Sequence, residues 1–335
     1  MMLRSGLLVA LAALALLLVP MPPSDAEGLG PAYASQLDEN GRAVYEALSV
    51  FEDSTDVTLS ISAEFPRIVL HDSEEDAKAY AVSTANDALA AKYLSEPLGI
   101  WLWDLPVKSV EVNASVVPLT VGAESQKHYA ASSVSFDLTV PEKYREDVAK
   151  TIQDVKDKAK TFGGSVPEKA KAIAKELSGI TGTDEEGTVS DLYDALVKRS
   201  SSSFGVAAAY TYLASLNEME SATVKGEYYG SSDQGRPACW NIVRDEGEWY
   251  AVDATRNLVM VGSGSAVETV TFSTAYSSDL DMKDGNSLED PDISRKAYQY
   301  PDDRPFMVKH GGKVTVGLMM GILIACLLYA ARRGY

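Results

Sequence analysis

The chain has 335 residues, of which 46% are hydrophobic, and 48 acidic against 30 basic residues give a formal net charge of -18. The length allows two ordinary domains, and the negative charge would repel a nucleic-acid backbone, so no nucleic-acid partner is expected. Two cysteines, Cys239 and Cys326, exclude a disulfide framework and a thiolate zinc site. The three histidines make no metal-ligand spacing, so neither a metal nor a cofactor is expected.

Both ends of the chain have the pattern of membrane-targeting segments. Residues 1–26 combine a basic start, a short apolar run and a small-residue end, which predicts a secretory signal peptide. Because the apolar run is shorter than the about 20 residues that span a bilayer, cleavage is favoured over an uncleaved anchor. Val314 to Ala331 is apolar and uncharged, which predicts a transmembrane helix followed by a short tail, 332–335. The expected location is the cell membrane, spanned once, with most of the chain outside the cytoplasm.

The first exposed region, 27–140, has the pattern of a small α+β unit. Hydrophobic periodicity predicts helices where apolar residues recur every three or four positions, and strands where they alternate. Ser73 is a candidate N-cap, because its hydroxyl can accept a hydrogen bond from the first helical turn. In chain order the predicted elements are a helix, a strand, a helix and two strands, over 38–51, 57–63, 74–93, 107–116 and 131–140.

The second region, 141–276, begins with two helical stretches. They open at Pro141 and Pro167, since proline is tolerated in the first helical turn. A helix of small residues follows from Ser203, as suits a buried helix that a sheet approaches closely.

Two aromatic and β-branched stretches then flank the turn Asp245-Glu246-Gly247, which predicts a β-hairpin. Beyond Ser277 the chain is acidic and rich in turn residues, which predicts an extended acidic stalk over 277–313.

Three blocks within 166–262 carry the most specific pattern of this second region. Their residues are Gly205, Ala207, Ala209 and Tyr210 in the helix, Trp240, Asn241 and Val243 in one strand, and Gly247, Trp249, Tyr250, Val252, Asp253 and Thr255 in the next. In order and spacing these blocks resemble the transglutaminase-like, papain-related superfamily. The resemblance implies an α+β fold in which the helix packs on an antiparallel sheet.

The resemblance also implies which positions would carry catalysis. In the family a cysteine at the helix N-terminus is the nucleophile, a strand histidine is its base, and an aspartate orients the imidazole. The corresponding residues here are Ser203, Ala238 and Asp253, so two of the three groups are absent. The chain therefore looks like a degenerate member that serves as a binding or scaffold module for a protein or peptide at the cell surface. Its candidate groove residues are Ser203, Trp240, Asn241 and Asp253.

Other interpretations stay open. A divergent hydrolase or acyltransferase would use Ser203 or Cys239, although alternation along a strand predicts that the Cys239 thiol faces away from Ser203 unless a bulge intervenes. His71 or His128 would have to enter the cleft from the first region. A purely structural envelope protein would fill the cleft with side chains. For Asp253 a structural role is favoured over a cation or metal site, because one carboxylate makes a poor metal site.

Overall fold

The computed structural model describes residues 32–49, 54–96, 111–121, 126–180, 191–230, 232, 234–278 and 287–300. The predicted signal peptide, 1–26, the transmembrane helix, Val314 to Ala331, and the tail, 332–335, lie outside these residues. Among the described residues no helix has both the length and the apolar character needed to cross a membrane.

The α+β class is confirmed. Residues up to Ala297 form one compact unit, and Tyr298–Tyr335 form a second. The first unit contains two larger antiparallel sheets and a two-stranded ribbon, together with α-helices. The predicted regions 27–140 and 141–276 both fall in this unit, and each contributes one of the larger sheets.

The first sheet has three strands, with the longest in the middle. Its strands are β1 (Thr58–Glu64), β2 (Asn113–Val121) and β3 (Gln126–Thr139), in the order β1-β3-β2. Two helices, α1 (Glu39–Ala47) and α2 (Glu74–Ser95), pack with it. Ser73 caps α2 as predicted, since its Oγ accepts a hydrogen bond from Asp76 N at 3.0 Å.

The helical stretch predicted from Pro141 differs in its start. A single 3-10 turn, Glu142–Tyr144, comes first, and helix α3 spans Val148–Lys158. The helix begins there because the Asp147 side chain accepts a hydrogen bond from Lys150 N at 2.9 Å and caps the first turn. The next helix, α4 (Val166–Leu177), has its proline in the first turn and a capping box between Ser165 and Glu168.

The second sheet has five antiparallel strands and carries the strand residues of the sequence match. Its order is β10-β4-β5-β6-β7, with the bounds Ser221–Tyr228 (β4), Arg236–Asp245 (β5), Glu248–Asp253 (β6), Leu258–Val261 (β7) and Tyr276–Ser278 (β10). The predicted hairpin is β5-β6. Glu246 and Gly247 both have positive φ angles, 51° and 89°, as a two-residue turn requires to follow the twist of the strands. The ribbon β8 (Ala266–Val267) and β9 (Val270–Thr271) leads into a one-turn helix, α6 (Phe272–Ala275).

Helix α5 (Ser203–Leu216) is the buried helix of the second region. It packs against β4 and β5 on one side and against α4 on another, and most of its residues are buried. A helix that is apolar all round is stable only in such a position. Its start also approaches the chain at Asp191: a Cβ on Gly205 would lie 2.5 Å from Asp191 O, so only glycine fits there.

Part of the predicted stalk, 287–296, belongs to the first unit. Ser294 N donates to Trp249 O at 2.8 Å, and Ser294 O accepts from Ser263 N at 2.8 Å. Leu288 is buried, and Tyr33 donates to Asp290 Oδ1 at 2.5 Å. The stretch 287–296 therefore differs from the expected extended stalk. The backbone of Ser294 is hydrogen-bonded to the domain, and the side chain of Leu288 is buried. The stretch 301–313 lies outside the described residues.

Candidate functional site

The two faces of strand β5 carry different residues. Its pairing with β4 runs without a register shift from Arg236 to Val243, so side chains alternate strictly between the faces. Asn241 Nδ2 donates to Ala207 O and Thr211 Oγ1, both at 2.9 Å, which places the odd-numbered residues against α5. Ala238 and Trp240 therefore lie on the opposite face of the sheet.

Ser203, the position of the family nucleophile, is the first residue of α5. The side chain is buried, and its Oγ accepts a hydrogen bond from the backbone N of Cys239 at 2.9 Å. The fold thus brings Ser203 beside the 238–239 segment, as the resemblance implies. The side chain at the histidine position, the methyl group of Ala238, lies on the opposite face of the sheet and can neither accept nor donate a proton.

Asp253, the position of the orienting aspartate, ends β6 and is almost fully buried. Its Oδ1 accepts from Thr255 N at 2.9 Å, from the Thr255 hydroxyl at 2.5 Å and from Arg256 N at 3.1 Å. Its Oδ2 accepts from Arg256 Nη1 at 2.8 Å and from the Tyr276 hydroxyl at 2.7 Å. Both oxygens are therefore engaged in holding the turn after β6 and the phenol of Tyr276.

The groups around Asp253 form a charged and aromatic cluster. The Arg256 guanidinium lies 3.9 Å from the centre of the Tyr228 ring. Burial lowers the pKa of Arg256, but the Asp253 carboxylate outweighs it and keeps that pKa above its ordinary value. Burial, and then the same carboxylate, raises the pKa of Tyr276 well above its ordinary value. Tyr276 is therefore neutral and acts as a hydrogen-bond donor rather than a base.

Cys239 lies on the face that α5 covers. The residue opposite it on β4 is Lys225, whose Nζ lies 4.8 Å from the ring centres of Tyr93 and Phe204. Phe204 belongs to α5, so this contact agrees with the placement of Asn241. As alternation predicts, the Cys239 thiol and the Ala238 side chain lie on opposite faces of the sheet. The thiol, however, lies on the face that α5 covers, whereas the sequence predicted that it would face away from Ser203. Burial lowers the pKa of Lys225.

The two described histidines belong to the first sheet. The backbone of His71 pairs with Tyr129, and its ring lies 5.2 Å from that of Tyr80. His128 is in β3, with Nδ1 3.5 Å from Asp72. Within the described ranges no group of three His, Cys, Asp or Glu side chains is placed to hold a metal ion.

A cavity of about 340 Å³ opens on the Trp240 face. Its aromatic wall consists of Trp240, Phe272 and Tyr276: the last two rings stack with centres 4.3 Å apart, and Trp240 meets Tyr276 edge-on at 5.0 Å. Asp290 and Asp292, from the stretch 287–296, line another part. Of the four residues predicted to form the groove, Trp240 lines this cavity, whereas Ser203 and Asn241 bind α5 to the sheet and Asp253 anchors Tyr276.

Sequence reasoning missed the partners that define this face. Arg256 follows Asp253 by three residues, a spacing that would have signalled an ion pair. Tyr276 follows Phe272 by four residues, but α6 ends at Ala275 and Tyr276 begins β10. Nothing local links Tyr276 to Asp253, because this contact joins residues 23 positions apart in the chain.

No protein-family model matches this chain, and no curated protein does. The solved structures that are similar to it include the following two. One is a transglutaminase, with 13% identity, covering 67% of this chain and 56% of that chain, at a TM-score of 0.25. The other is a candidate cysteine protease from Cytophaga hutchinsonii, with 11% identity, covering 58% of this chain and 82% of that chain, at a TM-score of 0.22. This chain thus spans just over half the length of the transglutaminase, and similarity this distant says nothing about activity.

Proposed function

We propose that this chain is a membrane-anchored surface protein whose second region, 141–276, is a catalytically inactive transglutaminase-like module that binds a protein or peptide. The sequence blocks within 166–262 support the family, and the end segments, 1–26 and Val314 to Ala331, support the membrane location. The peptide is expected in the cavity on the Trp240 face.

The state of the three triad positions carries the proposal. A serine hydroxyl needs a neighbouring base to act as a nucleophile at neutral pH, whereas Ala238 has no ionisable group and its side chain lies on the face of the sheet opposite α5. The Ser203 oxygen accepts a backbone hydrogen bond, and the Asp253 carboxylate is engaged by Thr255, Arg256 and Tyr276. The groups that would do chemistry in the family are used here to hold the fold together.

A binding experiment tests the role of the cavity. Ser273 is exposed and lines it, so Ser273→Trp would fill the opening without disturbing the core. Ser62, exposed on the first sheet, gives the matched control Ser62→Trp. Fluorescence polarisation of the purified full-length chain with a panel of extended peptides should find ligands that Ser273→Trp weakens at least about tenfold and Ser62→Trp leaves unchanged. A panel without ligands, or equal binding by both variants, would contradict the proposal.

One observation favours the alternative of a divergent hydrolase or acyltransferase. Cys239 and Lys225 face each other across β4 and β5, and a lysine with a lowered pKa can serve as a base. This alternative predicts that iodoacetamide alkylates Cys239 fast at neutral pH and that Lys225→Met slows the reaction. An ordinary thiol rate in both proteins would remove it.

A further inference from the structure

Two of the residues that line the cavity on the Trp240 face each carry a buried side-chain polar atom without a hydrogen-bond partner. One is the indole nitrogen of Trp240, a donor, in a side chain that is only 3% exposed. The other is Oδ2 of Asp290, an acceptor; the other oxygen of this carboxyl, Oδ1, accepts from the Tyr33 hydroxyl. A buried polar atom without a partner costs free energy, and such atoms are rare in folded proteins. Two such atoms in residues that line one cavity point to a ligand that offers both an acceptor and a donor.

The charge of the cavity narrows the class of ligand. Asp290 and Asp292 line it, and none of its described lining residues is a lysine, arginine or histidine. Its aromatic wall of Trp240, Phe272 and Tyr276 supplies rings whose faces attract cations and planar groups. The whole chain has a net charge of -18, so a cationic ligand is also favoured at long range.

We propose that this cavity binds an arginine residue of a peptide, with the guanidinium at Asp290 and a peptide carbonyl at the indole N–H of Trp240. A guanidinium is planar, stacks on aromatic rings and directs several N–H donors at a carboxylate. An ammonium group is more strongly hydrated and does not stack. The guanidinium alone would leave the indole N–H without an acceptor, and the carbonyl supplies it. This inference rests on the proposed function and specifies its ligand.

Burial of Asp290 makes its ionised form costly and so favours a cation beside it. Burial raises the pKa of this carboxyl, and hydrogen bonds from Tyr33 and Ser278 offset part of that rise. The ionised carboxylate of Asp290 is therefore only partly compensated in the free protein. A cation that enters the cavity supplies the missing compensation, so the interaction gains more than it would at an exposed carboxylate.

Calorimetric titration of the purified full-length chain with four small probes tests this inference. N-acetyl-arginine amide carries both groups, N-acetyl-citrulline amide is its neutral isostere, agmatine lacks the carbonyl, and N-acetyl-lysine amide replaces the guanidinium. The arginine probe should bind at least about tenfold more tightly than the citrulline probe, since hydrogen bonds to a charged group are the strong ones. It should also bind more tightly than agmatine and the lysine probe.

Two variants assign the contacts. Asp290→Asn should remove the preference for arginine over citrulline, and Trp240→Phe should weaken the arginine probe while leaving agmatine unchanged. Glu64→Gln, an exposed charge change on β1, is the control for net charge and should change nothing. Circular dichroism and the unfolding midpoint verify that each variant is folded. Because the two variants act on different atoms, a folding defect in one leaves the other as the test.

The outcomes separate this inference from the proposed function. Equal binding of the arginine and citrulline probes, or no effect of Asp290→Asn, overturns the inference. If other peptides bind and Ser273→Trp blocks them while arginine does not bind, the inference fails and the proposed function stands. If no peptide binds and the protein turns over an amide or ester, both fail.

Discussion

Replacing Asp253 with alanine separates a structural role from a catalytic one. The substitution removes the acceptor for the Arg256 guanidinium, the Tyr276 hydroxyl and the turn at Thr255. Removing one partner of a buried ion pair costs about 3–5 kcal/mol, because the other charge is left uncompensated. The Arg256 side chain is 27% exposed and can partly rehydrate, so the lower end, about 3 kcal/mol, is expected. This is a large share of the roughly 5–15 kcal/mol that stabilises a typical protein.

Urea unfolding of the purified chain measures this loss. With a slope of about 3 kcal/mol per molar urea, Asp253→Ala should lower the midpoint by roughly 1 M. Tyr276→Phe, which removes one hydrogen bond to a charged group, should cost about 2 kcal/mol. The double variant should lose less than the sum of the two, because phenylalanine leaves no hydroxyl to be orphaned. An unchanged or raised midpoint for Asp253→Ala would refute this reasoning and point to a residue retained for function at the expense of stability.

Three other substitutions test the packing around the site. Gly226→Ala should lower the free energy of unfolding by about 1–3 kcal/mol and speed hydrogen exchange in β10, because the new Cβ would lie 2.1 Å from Ser277 O. Gly163→Ala is the control, because its Cβ would meet nothing within 4 Å. Equal effects of the two substitutions would contradict the contact at Gly226. Asn241→Leu should cost about 1–3 kcal/mol in urea unfolding, since it removes the bonds to Ala207 and Thr211; full stability would show that they contribute nothing. Lys225→Met should be more stable than the parent at pH 7. Burial lowers the pKa of Lys225 below 10.5, so holding the charged lysine in the folded chain costs stability at pH 7. The parent gains stability as the pH rises towards 10.5, so the difference should shrink in urea midpoints measured from pH 7 to 10; a less stable Lys225→Met at pH 7 would contradict it.

The local elements were predictable because their signals are local. Alternation marked β1, the hydroxyl of Ser73 marked the start of α2, and Glu246-Gly247 marked the hairpin turn. The small residues of α5 indicated a buried helix, which the close approach at Gly205 requires. These features depend on residues near one another in the chain.

The cavity was not predictable in the same way. It forms because the stretch 287–296 returns to the sheet, and turn-rich, acidic composition gave no sign of that return. The partner of Asp253 across the sheet face, Tyr276, is likewise set by the pairing of β10 with β4. Of the four predicted groove residues, only Trp240 lines the cavity. Alternation along β5 separates Trp240 from Asn241, but the sequence does not show which of the two faces α5 covers.

If Ser203, Ala238 and Asp253 no longer support chemistry, the purified chain should show no turnover of amides or esters. The purified chain would be incubated with amide and ester substrates, with and without an amine acceptor, beside Ser203→Ala and Cys239→Ala. Product formation should equal the buffer blank in all three proteins. Turnover by the parent chain that disappears in Ser203→Ala or Cys239→Ala would contradict the account.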